Sequence, residues 1–372
     1  MISRRKFCKL TGDIVIGVVA SRLFVNAAFA SESKYPYIRD ARYYKLLDNG
    51  KILCELCPRN CVVAPKRRGY CGVRENQNGK FKTLVYGRLT SINNDPIEKK
   101  PLFHFLPGTT AISVSTSGCN LKCKFCQNWS IAQVKPEDLS FRYLSPEQLV
   151  TLTKNNKVPT IAYTYNEPTI FTEYILDTAA YGRDQGIRSV MISAGYINKE
   201  PLRDLCKVLD AIKIDFKAFS ESFYKDIVSG RLNPVLDTLV EVKSQGVWLE
   251  MVNLIIPTLN DSTSELENMC KWITANLGTD VPLHFTRFHP AYLLKNLPPT
   301  PVSSLENAYK IARNAGINYV YVGNVPGHSG ENTNCPHCGA GLIIRKGFYI
   351  VRNKIKNGKC PNCSSVIPGV WT

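Results

Sequence analysis

Short apolar runs alternate with segments of helical period through the middle of the chain. Runs rich in β-branched residues predict strands over 111–116, 160–165, 188–193, 211–216, 247–254, 282–288 and 318–322. Between them, apolar residues recur every three or four positions over 146–154, 169–184, 200–208, 234–244, 264–276 and 302–315. This alternation predicts an α/β fold, in which right-handed strand–helix–strand units build a parallel sheet.

The apolar pattern is weaker at both ends of the chain, and this divides the 372 residues into four predicted parts. Residues 1–30 predict a twin-arginine-type signal peptide, and residues 31–105 predict a small cysteine-rich metal-binding module. Residues 106–325 form the predicted α/β core, and residues 326–372 form a compact second cysteine-rich module.

The net charge of +17 is concentrated in the cysteine-rich ends. Residues 52–100 carry ten basic and four acidic side chains, and residues 335–372 carry six basic and no acidic ones. A basic surface can bind an acidic partner or nucleic acid. The interpretation we favour is that Lys and Arg offset the negative charge of metal-bound thiolates, so a nucleic-acid partner is not expected.

The chain contains 14 cysteines, and their spacing is typical of metal sites rather than of a disulfide framework. Cys206 and Cys270 lie in helical patterns and are expected to be ordinary core residues. The metal-site candidates form three sets, which are Cys119, Cys123 and Cys126; Cys54, Cys57, Cys61 and Cys71; and Cys335, Cys338, Cys360 and Cys363.

The set of three cysteines is the most informative. Cys119, Cys123 and Cys126 follow a predicted strand with the spacing C-x3-C-x2-C, and the aromatic Phe125 precedes the last of them. A closed zinc or iron–sulfur site takes four protein ligands, so three thiolates leave one metal position open for another ligand. The alternative is a fragment of a zinc site whose fourth ligand is distant in the sequence.

This loop resembles the signature of the radical S-adenosylmethionine (SAM) enzymes. The resemblance implies a partial (βα)6 TIM-like barrel, with a [4Fe-4S] cluster on Cys119, Cys123 and Cys126. It also implies that SAM chelates the fourth iron and that reduction of the cluster splits SAM to give a 5′-deoxyadenosyl radical. Such an enzyme needs an electron donor of the flavodoxin or ferredoxin type.

Residues at the carboxyl ends of the predicted strands are the candidate SAM contacts, because parallel α/β folds place their sites there. In Tyr165-Asn-Glu-Pro168, Glu167 and Pro168 match the family's Gly-Gly-Glu-Pro motif, which implies that Glu167 binds the SAM amino group. An N-capping role is the alternative for Glu167.

Two further strand ends resemble family motifs. Ser193 lies where relatives contact SAM, and Asp215-Phe-Lys217 matches the Asp-x-Lys motif of enzymes that install glycyl radicals. Lys217 could therefore bind the SAM carboxylate, and a structural ion pair with Asp215 is equally compatible with the spacing. His284 and His289 are candidates for proton relay or for packing.

The two sets of four cysteines predict further metal sites. Cys335-x2-Cys338 and Cys360-x2-Cys363 have nearly the spacing of a zinc ribbon, so this set predicts a structural zinc site. The first set, Cys54, Cys57, Cys61 and Cys71, fits either zinc or an auxiliary iron–sulfur cluster, and its spacing does not distinguish them.

The three cysteine sets together resemble one branch of the superfamily, the AmmeMemoRadiSam-system radical SAM enzymes, which are similar to pyruvate formate-lyase activating enzyme. Stretches 69–74, 95–102, 288–292 and 323–326 support this resemblance. It implies hydrogen-atom abstraction from a substrate that is not specified, with a glycine of a protein partner as one candidate. The competing hypothesis is a non-catalytic metal-binding adaptor for an acidic or nucleic-acid partner.

The first 30 residues bear on location. Arg4 and Arg5, an apolar stretch and Ala28-Phe-Ala30 resemble a twin-arginine leader with a cleavage site. This predicts export to the periplasm or cell exterior, whereas SAM dependence and the metal-site thiols favour the cytoplasm. No other stretch approaches the ~20 apolar residues of a membrane span, so none is predicted in the mature chain.

Overall fold

The centre of the fold is an eight-stranded sheet. The computed structural model describes residues 35–372, and the predicted signal peptide lies outside the described residues. The strands are β1 (Ser91–Pro96), β2 (Thr110–Ser115), β3 (Thr160–Tyr163), β4 (Arg188–Ser193), β5 (Ala211–Asp215), β6 (Trp248–Ile255), β7 (Leu283–Arg287) and β8 (Val320–Gly323). They lie side by side in chain order. β1 pairs antiparallel with β2, and every other neighbouring pair is parallel.

Six helices connect the parallel strands, and each buries an apolar face. They are α1 (Pro146–Asn155), α2 (Thr172–Asp184), α3 (Lys199–Cys206), α4 (Asn233–Ser244), α5 (Thr263–Leu277) and α6 (Val302–Asn314). α1 begins with a capping box, in which Ser145 Oγ accepts from the Gln148 backbone and Gln148 Oε1 accepts from the Ser145 backbone. Ser262 caps α5 by accepting from the backbone of Glu265.

The sequence prediction of an α/β fold with a parallel sheet is confirmed. The strands predicted from apolar runs agree with the observed ones to within two residues, and Cys206 and Cys270 are buried in the core. The antiparallel strand β1 was not predicted, because half of its side chains are polar and partly exposed at the edge of the sheet.

Two small three-stranded sheets form the region that precedes β1. One contains Arg39–Asp40, Lys80–Thr83 and Arg74–Gln77, and the other contains Tyr44–Leu46, Ile52–Cys54 and Val62–Val63. Arg88–Leu89 pairs with Arg142–Tyr143. Because this region has a small apolar core of its own, around Ile52, Leu56 and Phe81, its loops depend on few residues for their shape.

The C-terminal region is a three-stranded antiparallel sheet of Thr333–Asn334, Gly341–Lys346 and Tyr349–Asn353. His104 connects the segment between β1 and β2 to the end of the chain. Its Nδ1 donates to the carbonyl of Pro368 (2.7 Å), and its Nε2 accepts from the hydroxyl of Tyr321 in β8 (2.6 Å). Within the described range, no helix has the length and apolar character needed to cross a membrane.

Candidate active site and metal centres

The loop that carries Cys119, Cys123 and Cys126 follows directly after β2, at the carboxyl edge of the sheet. The end of the π-helix Tyr224–Val228 holds its backbone from one side. The backbone amides of Lys122 and Lys124 donate to the carbonyls of Val228 (3.0 Å) and Ile227 (2.9 Å). Cys123 is buried and the other two cysteines are partly buried. The loop therefore presents three thiols from a backbone of defined shape.

Two asparagines, which the sequence analysis did not select, connect the same loop to the segment that follows β3. The side-chain amide of Asn166 donates to the carbonyl of Gly118 (2.9 Å), and that of Asn128 donates to the carbonyl of Tyr165 (2.7 Å). Tyr165 has a positive φ of 70°, which turns the chain immediately after β3. The loop and the end of β3 are thus fixed to each other by reciprocal hydrogen bonds, and no local sequence pattern reports such long-range pairs.

The structure brings Glu167 and Ser193 together at the ends of β3 and β4. Oε1 of Glu167 accepts from Ser193 Oγ (2.6 Å), Thr169 Oγ1 (2.8 Å) and the Thr169 backbone (3.1 Å). Oε2 accepts from the backbone of Ala194 (2.8 Å). Glu167 therefore caps the short helix Pro168–Phe171, as the alternative interpretation proposed, while Oε2 keeps capacity for a further donor.

Asp215 and Lys217 lie together at the end of β5. Lys213 Nζ contacts Asp215 Oδ1, and Lys217 Nζ lies 3.6 Å from Asp215 Oδ2. Burial opposes the ionisation of Asp215, but the two lysines prevail and hold its pKa below the usual range. Lys217 also lies 5.5 Å from the ring centre of Phe125 in the cysteine loop.

Burial and the neighbouring charged groups shift the pKa values of the thiols in the loop. Burial, reinforced by the Glu167 carboxylate, raises the pKa of Cys119. Burial also raises the pKa of Cys123 to about 11, against the opposing charge of Lys217. In the protein alone these thiols are neutral, so a metal must displace their protons on binding.

The donor set fits an iron–sulfur cluster that is open at one iron. The loop offers three thiols, Asn166 beside the buried Glu167 donates to Gly118 at its start, and Lys217 lies 5.5 Å from the ring centre of Phe125. The Ser117 hydroxyl beside the loop is buried and has no hydrogen-bond partner among the described residues. Carboxylate and ammonium groups are the partners expected for the amino and carboxylate groups of an amino-acid ligand.

The four C-terminal cysteines converge most tightly. The sulfur atoms of Cys335, Cys338, Cys360 and Cys363 all lie within 4.8 Å of one another. Sγ–Sγ distances are 3.6 Å for Cys335 and Cys363 and 3.7 Å for Cys338 and Cys360. Zn–S bonds of about 2.3 Å at tetrahedral angles hold thiolates about 3.8 Å apart, so this set could hold a single metal ion.

One cavity is lined by Cys54, Cys57, Cys61 and Cys71, together with Arg74 and Asn120. Burial raises the pKa of Cys57 to about 12 and that of Cys71 to about 11. The structure thus brings together all four residues of this set, including Cys71, which is separated from Cys61 by nine residues.

One of the two candidate histidines, His284, is held by packing and hydrogen bonding inside the core. His284 is buried and its Nε2 donates to Glu250 Oε2 (2.8 Å), next to the rings of Phe103 and Tyr321. Glu250 also accepts from the backbones of Phe103 and His104. The packing interpretation therefore holds for His284, and His289 is exposed beyond the end of β7.

Comparisons with known proteins identify the class. The family model described as the radical SAM superfamily matches residues 113–273. An uncharacterized protein of Methanocaldococcus jannaschii is 44% identical over 332 residues, which cover 89% of this chain and 99% of that protein. A second uncharacterized protein of that organism is 24% identical over 72% of this chain and 76% of its own length.

The pyruvate formate-lyase-activating enzyme of Clostridium pasteurianum is 24% identical over 51% of this chain and 77% of its own length. The chain belongs to the radical SAM superfamily and is an enzyme. Membership implies a [4Fe-4S] cluster, SAM and a reductant.

Proposed function

We propose that the chain cleaves SAM reductively and abstracts a hydrogen atom from an organic substrate. The observation that carries this proposal is the loop of Cys119, Cys123 and Cys126, which is bonded to Asn166 beside Glu167 and contacts Lys217 through Phe125. When bound, the reduced cluster and SAM supply the 5′-deoxyadenosyl radical chemistry.

The side chains at the strand ends would orient SAM. Glu167 keeps one oxygen with spare acceptor capacity, which would meet the SAM ammonium, and Ser193 fixes the carboxylate through its 2.6 Å hydrogen bond. On the other side, Lys217 would pair with the SAM carboxylate, while Asp215 holds the lysine ammonium in place. A carboxylate and an ammonium beside the loop suit the two charges of an amino-acid moiety.

The similarity to a pyruvate formate-lyase-activating enzyme supports a protein substrate, and a backbone glycine is the candidate hydrogen donor. The motifs around the cysteine sets support a further proposal, that the chain belongs to the AmmeMemoRadiSam branch and that residues 106–325 form a partial (βα)6 barrel. The strand order and the six crossover helices support that architecture.

The four C-terminal cysteines would bind zinc in a ribbon over residues 326–372. Their sulfur spacing supports a single tetrahedral ion. The module of residues 31–105 holds either zinc or an auxiliary cluster at Cys54, Cys57, Cys61 and Cys71. Export by the twin-arginine leader would follow cofactor loading in the cytoplasm, and cytoplasmic residence is the alternative.

Anaerobic reconstitution tests the central proposal. Protein loaded with iron and sulfide, then given dithionite and SAM, should form 5′-deoxyadenosine and methionine. Cys123→Ala should abolish both products, whereas Cys206→Ala, which changes a core cysteine outside the three sets, should retain them. If wild type forms neither product and Cys123→Ala binds the same amount of iron, the enzyme proposal is wrong and the adaptor hypothesis takes its place.

A further inference from the structure

Exposed apolar side chains lie directly beside the cysteine loop, residues 119–126. The ring of Trp129, which follows the loop closely in the chain, stacks on that of Tyr292, with ring centres 5.4 Å apart and planes at 12°. The next residue, Leu293, donates its backbone N–H to the carbonyl of Lys124 within the loop (2.9 Å). Trp129 and Leu293 are 45% and 62% exposed. Large apolar side chains that are held together at the surface are typical of an interaction site.

The segments around the cysteine loop carry an excess of positive charge. Residues 56–74, 117–134 and 287–305 contain nine Lys and Arg side chains and no Asp or Glu. The π-helix Tyr224–Val228, which also contacts the loop, adds one lysine and one aspartate. The exposed side of the loop is therefore expected to have a positive potential.

Some of these cations have a use within the protein, and others do not. Arg59 and Arg74 line the cavity of the first cysteine set, where they can offset the charge of its thiolates. Lys124 and Lys295 are exposed and make no ion pair with any described residue. Their charge is therefore available to an acidic partner.

The basic surface continues from the loop to a second exposed aromatic ring in the first module. Lys122 Nζ lies 5.4 Å from the ring centre of Tyr70, and Arg59 Cζ lies 3.7 Å from it. Tyr70 is 40% exposed. Aromatic residues with charged side chains around them have the composition of a protein-binding surface. The outer face of the cysteine loop is defined here by Tyr70, Lys122, Lys124, Trp129, Tyr292, Leu293 and Lys295.

The outer face does not include the proposed SAM contacts. Glu167 and Ser193 are buried, and the side chain of Lys217 is 11% exposed. A substrate must reach the adenosyl group of SAM, which these buried residues would hold in place. An electron can enter the cluster through the loop itself. The outer face therefore suits a reductant better than a substrate.

We infer that the outer face binds an acidic one-electron carrier protein of the flavodoxin type. Carboxylates of the carrier would pair with Lys124 and Lys295, and its apolar surface would cover Trp129 and Leu293. In the transfer, the flavin hydroquinone anion loses one electron and becomes the neutral semiquinone, while the [4Fe-4S] core goes from 2+ to 1+. No proton moves and no bond forms or breaks. The electron step rests on the proposed function, whereas the binding of the carrier is measurable without it.

Equilibrium binding to the reconstituted protein tests the surface. The dissociation constant of flavodoxin, measured by isothermal titration calorimetry at low ionic strength, should rise about tenfold or more in Lys124→Glu/Lys295→Glu. Leu293→Ser should raise it about fivefold without changing its salt dependence, because this variant removes apolar contact and no charge. The matched control is Lys271→Glu/Lys310→Glu, which reverses two exposed charges on α5 and α6 and should bind as wild type does. Equal affinity in the two double variants would overturn the proposal.

The rate of cluster reduction tests the electron step. Stopped-flow absorbance should follow reduction by reduced flavodoxin and, separately, by dithionite. The ratio of the flavodoxin rate to the dithionite rate should fall about tenfold in Lys124→Glu/Lys295→Glu relative to the control pair. Flavodoxin without its flavin should slow the reaction of intact flavodoxin by competing for the outer face. A ratio that is the same in both double variants would exclude electron entry through this face.

A different occupant of the outer face would give a different result. If a single-stranded RNA oligonucleotide binds more tightly than flavodoxin and loses affinity in the same double variant, the face binds nucleic acid and the proposal is wrong. If wild type binds flavodoxin and is reduced by it but forms no 5′-deoxyadenosine from SAM, the proposed function fails and the assignment of the outer face stands.

Discussion

The carbonyl oxygen of Cys71 lies against Gly118, the residue that precedes the first cysteine of the C-x3-C-x2-C loop. Gly118 has a φ of +90°, and a Cβ atom there would lie 2.6 Å from that oxygen and 2.6 Å from Val73 Cγ1. Glycine is required at this position both by the backbone conformation and by the close approach. The loop and the first cysteine-rich module are therefore built as neighbours.

Gly118→Ala should lower the free energy of unfolding by about 3 kcal/mol or more, because the new methyl group meets backbone that cannot move independently. Gly186→Ala is the matched control. Gly186 also has a positive φ of 73°, but no atom lies within 4 Å of its added Cβ, so about 1 kcal/mol of strain is expected there. Thermal unfolding of the two reconstituted variants measures the difference. Equal losses would show that the contact with Cys71 does not constrain residue 118.

Glu167→Gln distinguishes a SAM contact from a helix cap. The amide oxygen can still accept from Ser193 and Thr169, but the amide nitrogen cannot accept from Ala194, and the charge that would attract an ammonium is lost. The dissociation constant of SAM should rise about tenfold, measured by equilibrium binding to the reconstituted protein, with a smaller loss of thermal stability. Thr169→Val is the control, since it removes the hydrogen bond from Thr169 Oγ1 to Glu167 and keeps the carboxylate. A loss of stability with unchanged SAM affinity would restrict Glu167 to capping.

Cys360→Ser should release the C-terminal metal and leave the other two cysteine sets loaded. Cys360 is buried and its sulfur lies 3.7 Å from that of Cys338, so the remaining three thiols cannot complete a tetrahedral site. Zinc content should fall by about one ion per chain while iron content stays at the wild-type value. Cys270→Ala, which changes a cysteine in the core of α5, should keep both metals. Loss of iron instead of zinc would contradict the ribbon assignment.

Acid should weaken the contact between the end of the chain and the sheet. Burial lowers the pKa of His104 to about 4, and the neutral ring donates to Pro368 and accepts from Tyr321. The unfolded chain has a His pKa of ~6.5 and so binds more protons between these values. The neutral His104 ring therefore makes its full contribution to the free energy of unfolding above about pH 6.5. This contribution decreases as the pH falls towards 4, by about 3 kcal/mol at most. His284 acts in the same direction, since burial lowers its pKa against the pull of Glu250.

Trp371 reports on this contact, because its ring centre lies 5.3 Å from that of His104. Urea unfolding followed by tryptophan fluorescence at pH 7.5 and pH 5 should show a smaller free energy of unfolding at the lower pH. His104→Phe cannot titrate, so its stability should be lower but should depend less on pH in this window. The same pH dependence in both proteins would assign the effect to other groups.

Local spacing was sufficient for several features of this protein. The apolar runs and helical periods predicted seven strands of the central sheet and its six helices, because strand and helix periods are local properties of the chain. The spacing of cysteines in the C-x3-C-x2-C loop and in each C-x2-C pair is also a local property. It therefore predicted which neighbouring cysteines act together. Glu167, Ser193, Asp215 and Lys217 were selected because they lie at carboxyl ends of predicted parallel strands, which share one edge, and because they resemble family motifs.

The tertiary structure decided what joins these local units. Arg74 meets Glu173 across 99 residues, Asn166 holds Gly118 across 48, and His104 reaches Pro368 across 264. Such contacts depend on which surfaces pack together, and no periodic pattern marks either partner. The same holds for the position of Cys71 beside Gly118. The sequence by itself predicted the candidate ligands and determined the parallel sheet, and only packing could decide which cysteine set adjoins which, because that adjacency is a property of the folded backbone rather than of residue spacing.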